Sequence, residues 1–223
     1  MSSWTIRNDG DLPYGEIDIL EGANGVTQNY VSLHTDGACT FNPPTTVQRG
    51  KINEGNTNCK IASNGAGCSV EGTANSFGTP FNKAGGGVYA MEWTSTYIRV
   101  WFFSRNNIPA DITSGNPTPS GWGLPMANFD SAHGNCDIDA NFPAQTIVSN
   151  LTPSNLMFLV KLILYSQYFD TTFCGDNAGG EAWSSWSDCP AMTGYSTCEE
   201  YVAKTPHAFD DAYWLVNSVK VYQ

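Results

Sequence analysis

Glu16, Asp18 and Glu21 stand within one short stretch, Gly15-Glu16-Ile17-Asp18-Ile19-Leu20-Glu21-Gly22. The acids are spaced i, i+2 and i+5. With acidic residues near a tenth of the chain, chance alone produces this spacing roughly 0.2 times per chain, so the spacing by itself is weak and its setting must strengthen it. On a strand, residues two apart share a face. Glu16 and Asp18 therefore point one way while Ile17 and Ile19 point the other. Glu21 has the wrong parity, and one extra residue near Leu20, a β-bulge, corrects it. The stretch then predicts three carboxylates in a row over a groove, with Ile17 and Ile19 in the core. Such crowding costs stability, and a merely structural strand has no use for it.

Glycoside hydrolysis does. A retaining enzyme needs two carboxyls about 5–5.5 Å apart, one as nucleophile and one as acid/base. After a bulge, Glu16 and Glu21 are four ladder steps apart, about 13 Å, so both must lean inward over Asp18. An inverting enzyme holds its carboxyls farther apart, and spacing alone leaves it open. Crowding raises carboxyl pKa values, so one glutamate can hold a proton while the other is ionised. Asp18 can bond the nucleophile and fix its rotamer. Calcium is the competing use of clustered acids, but it favours oxygen-rich loops with a turn glycine. Ile, Ile and Leu between the acids suit a strand, so no metal is expected.

The elements that must position these acids read as strands separated by Gly/Pro-rich loops. Strands are expected at 15–21 and 28–35, as a hairpin at 87–93 and 97–104 across Thr94-Ser95-Thr96, and at 213–222. Residues 37–85 read as loops pinned by disulfides, and 105–135 as loop. A short helix fits 196–203. The pattern argues an all-β sandwich or jelly roll. Residues 148–167 hold the densest apolar run. It is about half of the ~20 residues a membrane span needs and it carries Lys161, so a buried strand is the plain reading and no membrane partner is expected.

The chain has 223 residues, which suits one all-β domain, and its 41% hydrophobic and 14% charged content suffices for a core. Net charge is −11, which gives nucleic acid no basic footprint and would repel an anionic polysaccharide. A neutral glycan suits an acidic surface, and some of the 7 Trp and 10 Tyr are suited to covering sugar faces. The seven cysteines form no CxxC pair and the three histidines are scattered, which argues against zinc and for a disulfide framework in an exported protein. The odd count leaves one cysteine over. The start, Met1-Ser2-Ser3-Trp4, lacks the marks of a signal peptide.

The motif Gly-Glu-Ile-Asp-Ile-Leu-Glu-Gly resembles the signature of glycoside hydrolase family 16, in the variant with one extra residue before the second Glu. Trp4-Thr5, Glu21-Gly22-Ala23-Asn24, Leu33-His34-Thr35, Gly87-Val88-Tyr89-Ala90-Met91-Glu92-Trp93, Val100-Trp101-Phe102-Phe103, Phe169-Asp170-Thr171-Thr172-Phe173-Cys174-Gly175-Asp176 and Val219-Lys220-Val221-Tyr222 resemble fungal laminarinase-like members in the same order. The resemblance implies a concanavalin A-like β-jelly-roll sandwich with a glucan cleft across its concave sheet. It also implies retaining hydrolysis of β-1,3 or mixed β-1,3/1,4 glucan, with no cofactor. Carried over by position, Glu16 resembles the nucleophile, Asp18 the assisting acid and Glu21 the acid/base. Trp4 resembles a sugar-stacking residue, while Asn24 and His34 look like cleft polar residues. Trp93 and Trp101 fit core packing better than stacking. Asp11-Leu12 and Asn177 stand where similar proteins often carry Trp, which implies weaker subsites or another glucan preference.

Two departures concern organisation. The family places several strands and a signal peptide before the motif, whereas here it begins 15 residues in. N-terminal strands are thus expected to be lacking, which would account for the odd cysteine. The domain reading is one partial catalytic domain over 1–223, interrupted at 148–167 by an insertion or retained intron. Val148-Ser149 can be encoded by GTAAGC and Gln167 by CAG, the forms of a splice donor and acceptor. The expected protein is an extracellular, monomeric β-glucanase. The alternatives are a cell-wall glucan transglycosylase using the same residues and an inactive glucan-binding jelly roll.

Overall fold

The computed structural model describes residues 2–7, 15–53, 55–64, 66–143, 145–146, 167–171, 173–175, 178–185 and 187–222. The 148–167 segment, apart from Gln167, lies outside them, as do Asp11, Leu12 and Asn177. Twelve strands are present among the described residues: β1 (Ser2–Arg7), β2 (Glu16–Glu21), β3 (Tyr30–His34), β4 (Cys39–Phe41), β5 (Lys51–Ile52), β6 (Cys68–Glu71), β7 (Gly87–Trp93), β8 (Tyr97–Ser104), β9 (Ala127–Asp130), β10 (Gly134–Cys136), β11 (Gln145–Thr146) and β12 (Gln167–Asp170). All the ladders between them are antiparallel. The larger sheet runs β11-β1-β2-β3-β6-β5, with β12 also on β1. The second sheet is β7-β8-β9, and β4-β10 forms a two-stranded ribbon.

The sheets face each other across one apolar core. Ile17, Val31, Leu33 and Val70 enter it from the larger sheet, and Ile98, Val100, Ala127 and Phe129 from the second. Each set repeats with period two, so alternate residues of β2, β3 and β6 are turned to the opposite face. That outer face is where the acids stand. Phe129 meets Phe41 edge-on, with ring centroids 5.6 Å apart, and so joins the second sheet to the ribbon.

Three disulfides form: Cys39–Cys136 across the β4-β10 ribbon, Cys59–Cys68 and Cys174–Cys198. Cys189 is a buried free thiol. The helix Cys198–Lys204 matches the sequence expectation, and Thr197 caps it by accepting the Glu200 N–H at 3.2 Å.

Three readings need correction. Residues 213–222 form no strand, and Leu215 is 84% exposed. Their apolar alternation favours β structure, but a strand persists only beside a neighbour that completes its backbone bonds. Among the described residues no strand pairs with them. Residues 37–85 hold β4, β5 and β6, and 105–135 hold β9 and most of β10. These strands are too short for a two-residue period to stand out among Gly, Asn and Ser. Tertiary pairing makes them.

Phe129 is fully buried. Phe129→Ala is expected to cost about 3–5 kcal/mol of stability, measured as a shift in denaturant midpoint at constant slope.

Candidate active site

Gly15 leads into β2; its N–H donates to the His34 carbonyl at 3.1 Å and its φ of 82° suits glycine. From there Glu16 pairs with His34, Asp18 with Ser32, and Glu21 with Tyr30. Two residues, Ile19 and Leu20, stand between Asp18 and Glu21 on β2, while Val31 alone stands between Ser32 and Tyr30 on β3. One residue is therefore extra, and the bulge lies where the sequence parity requires it. The β1 ladder slips at the same place, between Ser3 and Trp4.

The bulge is held by Asn29, which is fully buried. Its Oδ1 accepts the Glu21 N–H at 2.8 Å and its Nδ2 donates to the Ile19 carbonyl at 3.0 Å. The amide thus supplies the two bonds that the slipped ladder withdraws. The Ser76 hydroxyl holds Asn29 in turn, accepting its N–H at 2.8 Å.

The bulge sets all three acids on the outer face, and both glutamates lean toward Asp18. Glu16 shares a side-chain hydrogen bond with it. Glu21 accepts from the Ser32 hydroxyl at 3.1 Å, and Ser32 is the residue opposite Asp18 rather than opposite Glu21. The Glu21 carboxylate is therefore drawn back along the strand. On the far side His34 Nε2 lies 3.0 Å from Asp18 Oδ2.

Asp18 is buried at 4% exposure, with Glu16 and Glu21 partly covered. Burial pushes Glu16 from 4.5 to about 9; the Asp18 charge adds to the rise and His34 opposes it. Asp18 is also raised well above the usual carboxylate range, by burial first and by Glu21 second, while its bond with Glu16 works the other way. The raised values thus fall on the Glu16–Asp18 pair, and the proton that crowding retains belongs to that pair.

Glu16, Asp18 and His34 also offer ligand atoms within 4.8 Å of one another, the one such grouping among the described residues. Asp18 already bonds both neighbours, so the oxygens a cation would take are engaged. The arrangement is better suited to holding protons and carboxylate rotamers than to coordinating an ion.

The other candidates divide. Trp4 is opposite Asp18 in the β1 ladder, a register position on the acid side of the sheet. His34 belongs to the row, but its ring is spent on Asp18. Asn24, at φ 57°, donates its amide to the carbonyls of Ala178 and Ala182 at 3.0 Å each, so its Nδ2 ties a loop down. Trp101 is buried and meets Trp122 edge-on, and Trp93 packs on the core. Sequence reasoning missed Ser32 and Asn29. Ser32 was within reach, because it shares the parity of His34 on the next strand. Asn29 was not, because its role exists only where the ladder slips.

An antiparallel β-sandwich with a bulged acidic strand on its outer face defines the class: an all-β jelly roll. The chain belongs to glycoside hydrolase family 16; the profile "XgeA-like, catalytic GH16 domain" matches residues 2–153 and 164–222. Relatives include a "Probable endo-1,3(4)-beta-glucanase" of Neosartorya fischeri, 43% identical over 223 residues, which are 99% of this chain and 30% of that protein. The endo-1,3(4)-beta-glucanase xgeA of Emericella nidulans is 38% identical over 99% of this chain and 31% of its own. Among solved structures, an elongating family 16 beta-1,3-glucosyltransferase aligns with TM-score 0.75 and 38% identity, over 96% of this chain and 63% of that one. Laminarinase 16A of Phanerochaete chrysosporium, solved with beta-glucans in both donor and acceptor sites, aligns with TM-score 0.73 and 35% identity over the same shares. The chain thus spans about a third of the length of these two curated relatives.

Two outcomes follow from the site. The Glu16–Asp18 pair binds its proton more tightly folded than unfolded, so its contribution to stability is intact below about pH 4.5 and is lost as pH rises toward 9. The melting temperature is expected to fall across that window, and Glu16→Gln to flatten the fall. Gly67 has φ 71°, and a Cβ there would lie 2.5 Å from His34 Nδ1. Gly67→Ala is expected to cost about 1–3 kcal/mol and to shift the His34 imidazole resonances.

Proposed function

We propose that this chain is the catalytic part of a retaining β-glucanase acting on β-1,3 or mixed β-1,3/1,4 glucan. The observation that carries this reading is the inward lean of Glu16 and Glu21 over Asp18, which brings carboxyls set far apart along the strand toward one point. Family membership and the beta-glucans bound to Laminarinase 16A support the substrate class.

Glu16 attacks the anomeric carbon while Glu21 gives a proton to the departing glycosidic oxygen. A glycosyl ester on Glu16 results. Glu21, now ionised, takes a proton from water, whose oxygen attacks the anomeric carbon and releases Glu16. A nucleophile must be anionic, and burial opposes a second charge beside Asp18. One proton on the Glu16–Asp18 pair meets both demands when it resides on Asp18 and is donated to Glu16. His34 holds Asp18 in that position, and Ser32 holds Glu21. Trp4 is assigned to sugar stacking on its register beside Asp18. The family resemblance supports reading Asn24 and His34 as cleft residues, with His34 acting chiefly through Asp18.

A second reading, transglycosylation, is favoured by the likeness to the elongating beta-1,3-glucosyltransferase. It needs the same residues, with a sugar hydroxyl in place of water. The three disulfides support an extracellular location. The single-domain reading, with an insertion at 148–167, is supported by the family match, which leaves out residues 154–163. A spliced transcript that keeps codons 148–167 would sink the intron.

Reducing ends released from laminarin test the main reading. Glu16→Gln and Glu21→Gln are each expected to lower kcat by about 10⁴-fold or more, and Asp18→Asn by about 10²-fold. The first product should be the β anomer. An α anomer, or full activity in Glu16→Gln, overturns the assignment, and lengthened products mark the transferase.

A further inference from the structure

A cavity of about 480 Å³ opens on the side of the sandwich away from the acid row. Ile98, Val100 and Phe129 point fully into the core, so Tyr97, Arg99, Asn128 and Asp130 are turned to the outer face of β8 and β9. Thr46-Val47 and the loop 119–125 wall the space above them.

Arg99 is fixed here. Its Nε donates to Asn128 Oδ1 at 2.7 Å, and its guanidinium carbon lies 3.9 Å from the centre of the Tyr97 ring. Asn128 donates to Asp130, and Asp130 Oδ1 accepts the His133 N–H at 2.9 Å and lies 2.7 Å from His133 Nδ1. Glu92 stands opposite Arg99 on β7 and takes the Tyr97 hydroxyl. Among the described residues, nothing hydrogen-bonds the terminal nitrogens of Arg99 or His133 Nε2. Donors and acceptors are thus held in place around an open space.

We propose that this cavity is a second saccharide site, which holds a segment of neutral β-glucan other than the one being cleaved. An anion would face Glu92 and Asp130, and a cation would face Arg99. Adjacent sugar hydroxyls both donate and accept, so one ring can receive an Arg99 N–H while donating to Glu92. Leu124, 45% exposed at the rim, offers an apolar edge to sugar C–H groups. The volume falls in the ~300–1,000 Å³ range of small-molecule sites. The choice of glucan rests on the proposed function; the saccharide class rests on the side chains.

The test measures laminarihexaose binding to the Glu16→Gln protein by calorimetry, with NMR shifts around Tyr97 as locator. Two binding events are expected. Ser120→Trp, at the exposed rim, should fill the cavity and remove one of them, and Arg99→Gln should remove the same one. In the otherwise unaltered chain, Ser120→Trp should leave laminarihexaose turnover unchanged and lower retention on insoluble β-1,3-glucan about tenfold. Binding that neither Ser120→Trp nor Arg99→Gln alters, whether one event or two, overturns the proposal. If laminarin is not cleaved while the second event persists, the proposed function fails and this site stands.

Discussion

The extra residue between Asp18 and Glu21 is the constraint on which the site depends, because a two-residue period cannot put acids at positions 16, 18 and 21 on one face. The slip has a cost: it takes the Glu21 N–H and the Ile19 carbonyl out of the ladder in a partly to fully buried place. Asn29 answers both with one side-chain amide. The bulge is therefore built from two strands and a buried residue before β3, and Ser76 reaches in from a later loop to hold that residue. Catalytic geometry and backbone satisfaction are the same problem here.

Burial gives the acid row its electrical character. Asp18 sits between two glutamates with 4% exposure, where a third charge is expensive and a shared proton is cheap. His34 and Ser32, neighbours on one face of β3, engage Asp18 and Glu21 respectively. The adjacent strand thus orients the acids from the side. Cys68 follows Gly67 on the next strand, and its bridge to Cys59 frames the end of β3: Cys68 pairs with Leu33, and the Cys59 carbonyl accepts the Thr35 N–H at 2.8 Å. The residues either side of His34 are both anchored to that bridge.

The two sheets also separate chemistry from the cavity on β8 and β9. Residues alternating in β2 and in β8 share one core, so each sheet has one free face, and the two free faces look in opposite directions. The acids occupy one. The Arg99 network occupies the other, in strands whose apolar alternation was plain and whose polar positions carried no recognisable motif.

The sequence by itself determined the acidic row, its need for a bulge, the hairpin of β7 and β8, and the class of fold. These follow from local periodicity and from a motif whose residues are adjacent in the chain. Tertiary structure alone decided the rest. Asn29, Ser76 and Ser32 act through contacts set by strand pairing. The Asn24 amide bonds carbonyls more than 150 residues away, contacts that local spacing cannot show. Residues 213–222, with a clear strand pattern, are not a strand, because pattern supplies propensity and only a neighbouring strand supplies hydrogen bonds.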